Sequence, residues 1–327
     1  MLGKEIKIII AVTFVLTVIV VVLLFLMTNP LTTTQFAVQN LKFRADPERL
    51  KTHVASLSEI DPPRNYENVA SLQKAADYIK TELEKYCPEV DEQVFEVEKE
   101  QYRNIICLFG PKDELRVVVG AHYDAHLSSG VAADDNASGV AGLIELARLI
   151  KENETDLQNQ IELVAYNFEE PPYFRTENMG SYIHAKSLKD EKVELKYMIS
   201  LEMIGYFSDQ ANSQKIPSRL LQFFYPTTGN FIALIGRFGK DSFMNDLKAK
   251  MKTDNLPVYS LNAPEYMLTG YSSDQLNYWK FGYDAAVITD TGPFRNPNYH
   301  KSTDTPETLN YDKMAEVVNR VYIATAN

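Results

Sequence analysis

Leu115-Arg116-Val117-Val118-Val119-Gly120-Ala121-His122-Tyr123-Asp124 is an apolar run that stops at a histidine, and Ala133-Asp134-Asp135-Asn136-Ala137-Ser138-Gly139 soon follows it into a helix. A short continuous apolar run bounded by turn residues reads as a strand buried on both faces. Val140, Leu143, Ile144, Ala147 and Ile150 then recur at helical spacing. A buried strand, a loop and an amphipathic helix form the repeating unit of a parallel α/β sheet, in which ligands bind at the carboxyl ends of the strands. His122 stands at such an end. Asp124, two residues on and on the same side of an extended segment, can hydrogen-bond one nitrogen of His122 and leave the other for a metal. Asp135 lies near the positive end of the helix dipole, which favours the ionised carboxylate needed to bridge two ions. The simpler role for such a residue is a helix N-cap.

The same pattern recurs along the chain. The run 161–168 ends in Glu169-Glu170 and is stopped by Pro171-Pro172. Neighbouring residues of an extended chain project to different sides, so Glu170 is assigned to metal and Glu169 to water. The run 197–206 is apolar except for Glu202. A lone carboxylate there must be paired, protonated or metal-bound, because burying it bare costs several kcal/mol. His300 falls on a loop between a strand over 285–289 and a closing helix. The remaining periodicities predict helices over 47–57, 67–86, 137–151, 241–251 and 311–324, and strands over 92–97, 104–109, 115–121, 160–168, 198–204 and 231–235. Together they predict a three-layer α/β sandwich, a mixed, mostly parallel central sheet with helices on both faces.

His122, Asp135, Glu170, Glu202 and His300 therefore have the types and settings to hold two zinc ions side by side. Among the other histidines, His126 sits beside a loop, Ser128-Ser129-Gly130, that reads as solvated. His184 and His53 read as surface or packing residues. No Ser/His/Asp or Cys/His nucleophile set competes, and there is no glycine-rich phosphate loop.

The set resembles the co-catalytic zinc metallopeptidases of family twenty-eight, which include leucyl aminopeptidases and glutaminyl cyclases. The resemblance rests on His122-Tyr-Asp124, Asp134-Asp135-Asn136-Ala-Ser-Gly139, Glu169-Glu170, Gly180-Ser181, Glu202-Met-Ile-Gly205 and Tyr299-His300, collinear in the family's order. It implies the fold of the zinc-dependent exopeptidases, His122 and Glu202 on one zinc, Glu170 and His300 on the other, Asp135 bridging, and Glu169 as general base. The activity implied is that of an aminopeptidase acting on peptides; a glutaminyl-peptide cyclase and a non-catalytic ectodomain are the alternatives. Two departures stand out. Many members carry Asp where this chain has Glu202, and the frequent Ser-Asp-His reads Ser273-Asp274-Gln275 here, without an imidazole at Gln275.

Ile8 to Met27 is an uncharged run, about 30 Å long as a helix and matched to a bilayer's hydrocarbon core. Lys4 and Lys7 precede it, and no basic residue follows before Lys42. This bias predicts a single-pass signal anchor over 8–27, a cytoplasmic 1–7, a tether over 28–40 and a catalytic domain over 41–327 on the extracytoplasmic side. The net charge of −11 argues against nucleic acid, and against adhesion to anionic lipid beyond the anchor. Two cysteines make no disulfide framework, although Cys87 and Cys107 can pair in an oxidising compartment. Tyr206 and Phe294 are candidate substrate-binding residues, with 171–174 as further cleft wall. Phe223-Phe224-Tyr225 reads as core rather than cleft.

Overall fold

The computed structural model describes residues 3–29, 41–112, 114–153, 156–239, 241–252 and 255–326. Most of the expected tether, from residue 30 on, lies outside the described residues. Eight strands form one sheet: β1 (Glu89–Val97), β2 (Glu100–Phe109), β3 (Arg116–His122), β4 (Gln160–Tyr166), β5 (Leu195–Glu202), β6 (Ile232–Arg237), β7 (Val258–Ala263) and β8 (Ala285–Thr289). Their order is β1-β2-β4-β3-β5-β8-β6-β7. β4, β3, β5 and β8 run parallel to one another, as do β6 and β7; the joints β1/β2, β2/β4 and β8/β6 are antiparallel.

Alternation along β3 shows why the sheet is covered twice. Val117, Val119 and Ala121 pack into the larger core with α2 (Pro47–Ser58), α3 (Val69–Leu83), α4 (Gly139–Glu152) and α8 (Tyr311–Ala326). Val118 points the other way, towards α5 (Gly180–Asp190) and α7 (Gln275–Lys280). Period-2 exposure of apolar side chains on both faces requires helices on both. α6 (Asp241–Met251) adds Met244 and Leu247 to the larger core.

The mixed α/β sandwich agrees with the expectation, with three local differences. β7 and α7 were not foreseen, because Val258-Tyr-Ser-Leu-Asn-Ala263 lies at the sheet edge and alternates weakly, and α7 spans only 6 residues. β4 stops at Tyr166 and β5 at Glu202, two residues short of prediction, because Phe168 (φ 64°) and Met203 (φ 50°) enter the left-handed region. Non-glycine residues seldom do so unless their surroundings hold them there. The apolar N-terminal helix α1 begins at Lys4 rather than Ile8 and ends at Thr28. It is long and apolar enough to cross a membrane, a property that a membrane span and a signal sequence share. Cys87 and Cys107 form a disulfide.

Candidate metal centre

Each of the five ligand candidates lies at or just beyond the carboxyl end of a parallel strand. His122 ends β3 and Glu202 ends β5. Glu170 follows β4, His300 follows β8, and Asp135 lies in the turn 133–138 that leads into α4. Gly139 lets that turn sit against β5: a Cβ there would lie 2.5 Å from Asn136 Oδ1 and 2.6 Å from the Leu201 carbonyl.

The five side chains converge. His122 Nε2 lies 3.3 Å from Glu202 Oε2 and 3.5 Å from Asp135 Oδ1. His300 Nε2 lies 3.1 Å from the other oxygen of Asp135 and 3.3 Å from Glu170 Oε1. Asp135 thus faces both imidazoles, one oxygen to each. Glu169 Oε2 is 3.9 Å from His122 Nε2. Among the described residues, neither His122 Nε2 nor Asp135 Oδ2 has a hydrogen-bond partner, although both are buried.

Asp124 sits where the sequence suggested but works mainly elsewhere. His122 Nδ1 donates to the backbone carbonyl of Asp124 at 3.1 Å, which leaves Nε2 facing the acids, while the Asp124 carboxylate lies 3.4 Å from Nδ1. That carboxylate accepts the backbone N–H groups of Glu169 (3.1 Å) and Glu170 (3.0 Å). It fixes the glutamate pair. Ser273 Oγ donates to Glu202 Oε2 at 2.7 Å. Gln275, in place of an imidazole, closes the local turn by accepting from Ser273 N–H and donating to the Tyr271 carbonyl.

Two positioning groups, Asp304 and Arg64, had no signal in the sequence, while Asp274 and Tyr299 lie in stretches already quoted for the resemblance. Asp304 accepts the N–H groups of Asp134 and Asp135 at 3.0–3.1 Å. Arg64, fully buried, donates to the carbonyls of Leu57, Tyr123, Val131 and Ala132 and braces the loop between His122 and Asp135. Asp274, wholly buried, is raised to about 7 by burial. Tyr299 stacks on His300 at 3.8 Å. Asp304 and Arg64 are common polar residues on loops, made meaningful mainly by partners about 59 to 170 positions away.

The other histidines separate. His126 is drawn into the site, correcting its reading as a loop residue outside it: its ring lies parallel to that of His300, 3.8 Å away. Ser128 ties the two rings together: its N–H donates to His126 Nδ1 at 3.2 Å, and its Oγ, 2.9 Å from the same nitrogen, donates to the His300 carbonyl at 2.8 Å. Two parallel rings cannot both aim an in-plane lone pair at one ion, so His126 buttresses His300 in this arrangement. His53 and His184 are both buried and bonded to the hydroxyls of Tyr78 and Tyr278.

The electrostatics fit a doubly charged guest. Burial pushes Glu169 well above the usual carboxylate range, reinforced by Glu202 and Glu170 against the opposing pull of His122. Burial and Asp135 raise Glu170 to about 8. Burial opposes charge on the imidazoles, but their acidic neighbours win: His122 is raised well above its ordinary value by Glu202, Asp124 and Asp135, and His300 to about 10 by Asp135 and Glu170. Asp135, although buried, is held low by those two imidazoles. Protons stand here where cations would stand. Carboxylate and imidazole donors suit zinc, and the orphaned Nε2 and Oδ2 atoms fit it.

Beside Glu202 lies a small cleft walled by Met203, Tyr271, Ser272, Thr291, Pro293 and Tyr299. Phe294 stacks on Tyr271 at 4.9 Å and so backs that wall. Tyr206 is not among the lining residues; its N–H donates to Asp290. Of the 171–174 stretch, Tyr173 packs on Phe168 and Tyr66. Phe223 is 86% exposed, which corrects its reading as core.

A doubly covered α/β sheet with acids and imidazoles at its strand ends defines the class of the zinc-dependent exopeptidases. The chain belongs to peptidase family M28, whose sequence profile matches residues 104–324. It is 40% identical to the uncharacterized protein YfbL of Escherichia coli K12 over 85% of this chain and 87% of that protein. Leucine aminopeptidase 1 of Ajellomyces capsulatus is 24% identical over 85% of this chain and 70% of its own length. The fold also matches a Bacteroides thetaiotaomicron glutaminyl cyclase solved with N-acetylhistamine, with a TM-score of 0.65 at 17% identity, over 87% of this chain and 99% of that one.

Proposed function

We propose that this chain is a membrane-anchored, two-zinc aminopeptidase that removes N-terminal residues from peptides. The observation that carries the reading is the convergence of His122, His300, Glu170 and Glu202 on the two oxygens of Asp135, with Glu169 alongside and not needed as a ligand. His122 and Glu202 would hold one zinc, Glu170 and His300 the other, with Asp135 between them. Bound there, zinc supplies a Lewis acid that polarises the scissile carbonyl and brings the pKa of water towards about 7. Glu169, 3.9 Å from His122 Nε2, takes the proton of the attacking water and delivers it to the leaving amine. Asp124 and Ser273 hold Glu169, Glu170 and Glu202 in place. The Tyr299 phenol is kept protonated by burial and the surrounding acids and can donate to the developing oxyanion.

In the cleft beside Glu202, Met203, Tyr271 and Pro293 offer an apolar wall for an N-terminal side chain, opposite Ser272 and Thr291. The uncharged run 8–27 within α1 supplies the anchor, and the Cys87–Cys107 disulfide agrees with an oxidising, extracytoplasmic side. Metal analysis of the purified chain is expected to give two zinc ions per molecule, with leucyl substrates cleaved faster than lysyl or glutamyl ones. Glu169→Ala should keep both ions and lose hydrolysis by about 10²–10⁴-fold. One ion per chain together with pyroglutamate formation from an N-terminal glutamine would decide for a glutaminyl cyclase instead. An unchanged rate in Glu169→Ala would remove the mechanism.

A further inference from the structure

The last turn of α1 is built into the catalytic domain. Met27 packs against the smaller core, and Thr28 is buried. Ser260 Oγ on β7 donates to the Thr28 carbonyl at 3.3 Å, Lys248 Nζ on α6 donates to the Asn29 carbonyl at 2.7 Å, and the Asn29 and Asn245 side chains are hydrogen-bonded. If α1 spans a bilayer, as proposed above, the β7 edge of the sheet meets the membrane surface at this joint.

The loop 215–225 adjoins the joint. Tyr225 donates its hydroxyl to the carbonyl of Ser260, the residue whose side chain holds Thr28. Phe223 lies two residues away, within about 7 Å of chain. It is 86% exposed and Leu220 51% exposed, whereas Leu221 and Tyr225 of the same loop face a small apolar cavity that Tyr259 and Leu261 of β7 also line. Single exposed apolar residues need no explanation, but two on one loop tip beside the end of an apolar helix do. Charge gives a second, independent indication. The chain carries −11 overall, yet between Asp209 and Asp241 there is no acidic residue, while Lys215, Arg219, Arg237 and Lys240 are basic. Exposed Lys215 and Arg219 both precede the apolar tip, Arg219 directly beside Leu220. Net charge argues against adhesion of the whole domain to anionic lipid; this segment has the opposite sign. Exposed apolar side chains next to exposed cations match the boundary between acyl chains and anionic headgroups.

We propose that loop 215–225 is seated in the lipid interface of the membrane that α1 crosses, with Phe223 and Leu220 immersed and Lys215 and Arg219 at the headgroups. The loop would then be a second, lateral contact that fixes the domain's tilt. The inference rests on the anchor reading, so the test separates the two. Both native cysteines are paired, and a spin label on Phe223→Cys would occupy a lone free thiol. Val94→Cys, on exposed β1 at the opposite edge of the sheet, provides the control. The full chain is placed in nanodiscs of phosphatidylcholine doped with phosphatidylglycerol, and collisions with oxygen and with a water-soluble nickel chelate are measured by electron paramagnetic resonance. The expected result is a several-fold lower nickel collision rate at 223 than at 94 with oxygen access retained, and a partial return of nickel access when Lys215 and Arg219 are both replaced by Glu. Equal nickel access at the two positions, with the chain still held in the disc, would overturn the seating of the loop alone. Release of the chain from the disc by alkaline carbonate would overturn the anchor, and the loop's seating with it.

Discussion

Replacing Asp124 by Asn tests whether the glutamate pair is held by one buried carboxylate. Asp124 is 2% exposed, and its two oxygens accept one backbone N–H each, from Glu169 at 3.1 Å and Glu170 at 3.0 Å. An asparagine of the same shape has one oxygen, so its amide group must oppose one of those N–H groups. A buried donor left without an acceptor costs about 1–3 kcal/mol. Arg64, fully buried and pulled down to about 10 by that burial, also loses the negative charge of Asp124. Taking about 2 kcal/mol, and about 2–4 °C per kcal/mol for a domain of this size, the metal-free protein should melt roughly 4–8 °C lower. The second effect is local: Glu169 and Glu170 shift together, and loss of such an orienting partner typically weakens metal affinity or activity by about 10–100-fold. Calorimetric melts of the metal-free chain, zinc competition against a chelator, and kcat/KM at saturating zinc separate the two effects. A melt within about 1 °C of wild type together with unchanged zinc affinity would refute the assignment.

Ser273→Ala removes the 2.7 Å hydrogen bond to Glu202 and should weaken zinc retention by about 10-fold or more, with the melt of the metal-free protein little changed; chelator competition reads it. Tyr299→Phe should lower kcat by about 10–10³-fold while both ions and KM stay nearly constant, if the phenol donates to the oxyanion. His53, far from the metal centre, gives a pH prediction. Burial lowers its pKa from 6.5 to about 4, so between those values the unfolded chain takes up a proton that the native state refuses. Stability is fully present above pH 6.5 and falls as the pH drops towards 4, by up to about 3 kcal/mol. His53→Gln should flatten the urea midpoint over that window by about one proton relative to wild type, and an unaltered pH slope would contradict the assignment.

The alternation of strand and helix was legible because burial on two faces forces long apolar runs, as in Val117-Val118-Val119, and because α4 and α8 carry apolar stripes. Of the five convergent residues, Glu202 and His122 were legible for a related reason, because they interrupt sequences that are otherwise core, whereas Asp135, Glu170 and His300 owed their assignment to the collinear resemblance. The weakest sequence signals belonged to residues whose work is done through a distant partner. Nothing local distinguishes Asp304 from a solvated loop acid, yet it caps two N–H groups about 170 positions away in sequence. His126 read as solvated because its neighbours are Ser and Gly; it acquires a role only from the ring of His300 stacked on it. The left-handed turns at Phe168, Met203 and His300 were equally invisible. Each lies at or beside a proposed ligand or base, on an apolar or ring-bearing residue that does not advertise positive φ.

Those distant partners share a pattern. Asp124, from the loop after β3, holds the backbone of Glu169 and Glu170 after β4. Asn136, ahead of α4, accepts from Met203 and donates to Leu201 at the end of β5. Asp134, pushed well above the usual carboxylate range by burial and by Asp290 facing it, accepts from Gly205 after β5 and from Asn296 after β8. Asp290 accepts from Tyr206, and Asp304 closes the circuit onto Asp134 and Asp135. Every loop that presents a candidate ligand is therefore tied to a different loop rather than to its own strand. No single strand–loop unit can hold its ligand in place alone, so the geometry of the centre exists only when β3, β4, β5 and β8 are all in register. Loss of one clamp should reach ligands that it does not touch. Double-mutant cycles between Asp124→Asn and Ser273→Ala, which act on opposite sides of His122, should show zinc-affinity losses that fail to add, whereas simple addition would mean that the loops are positioned independently.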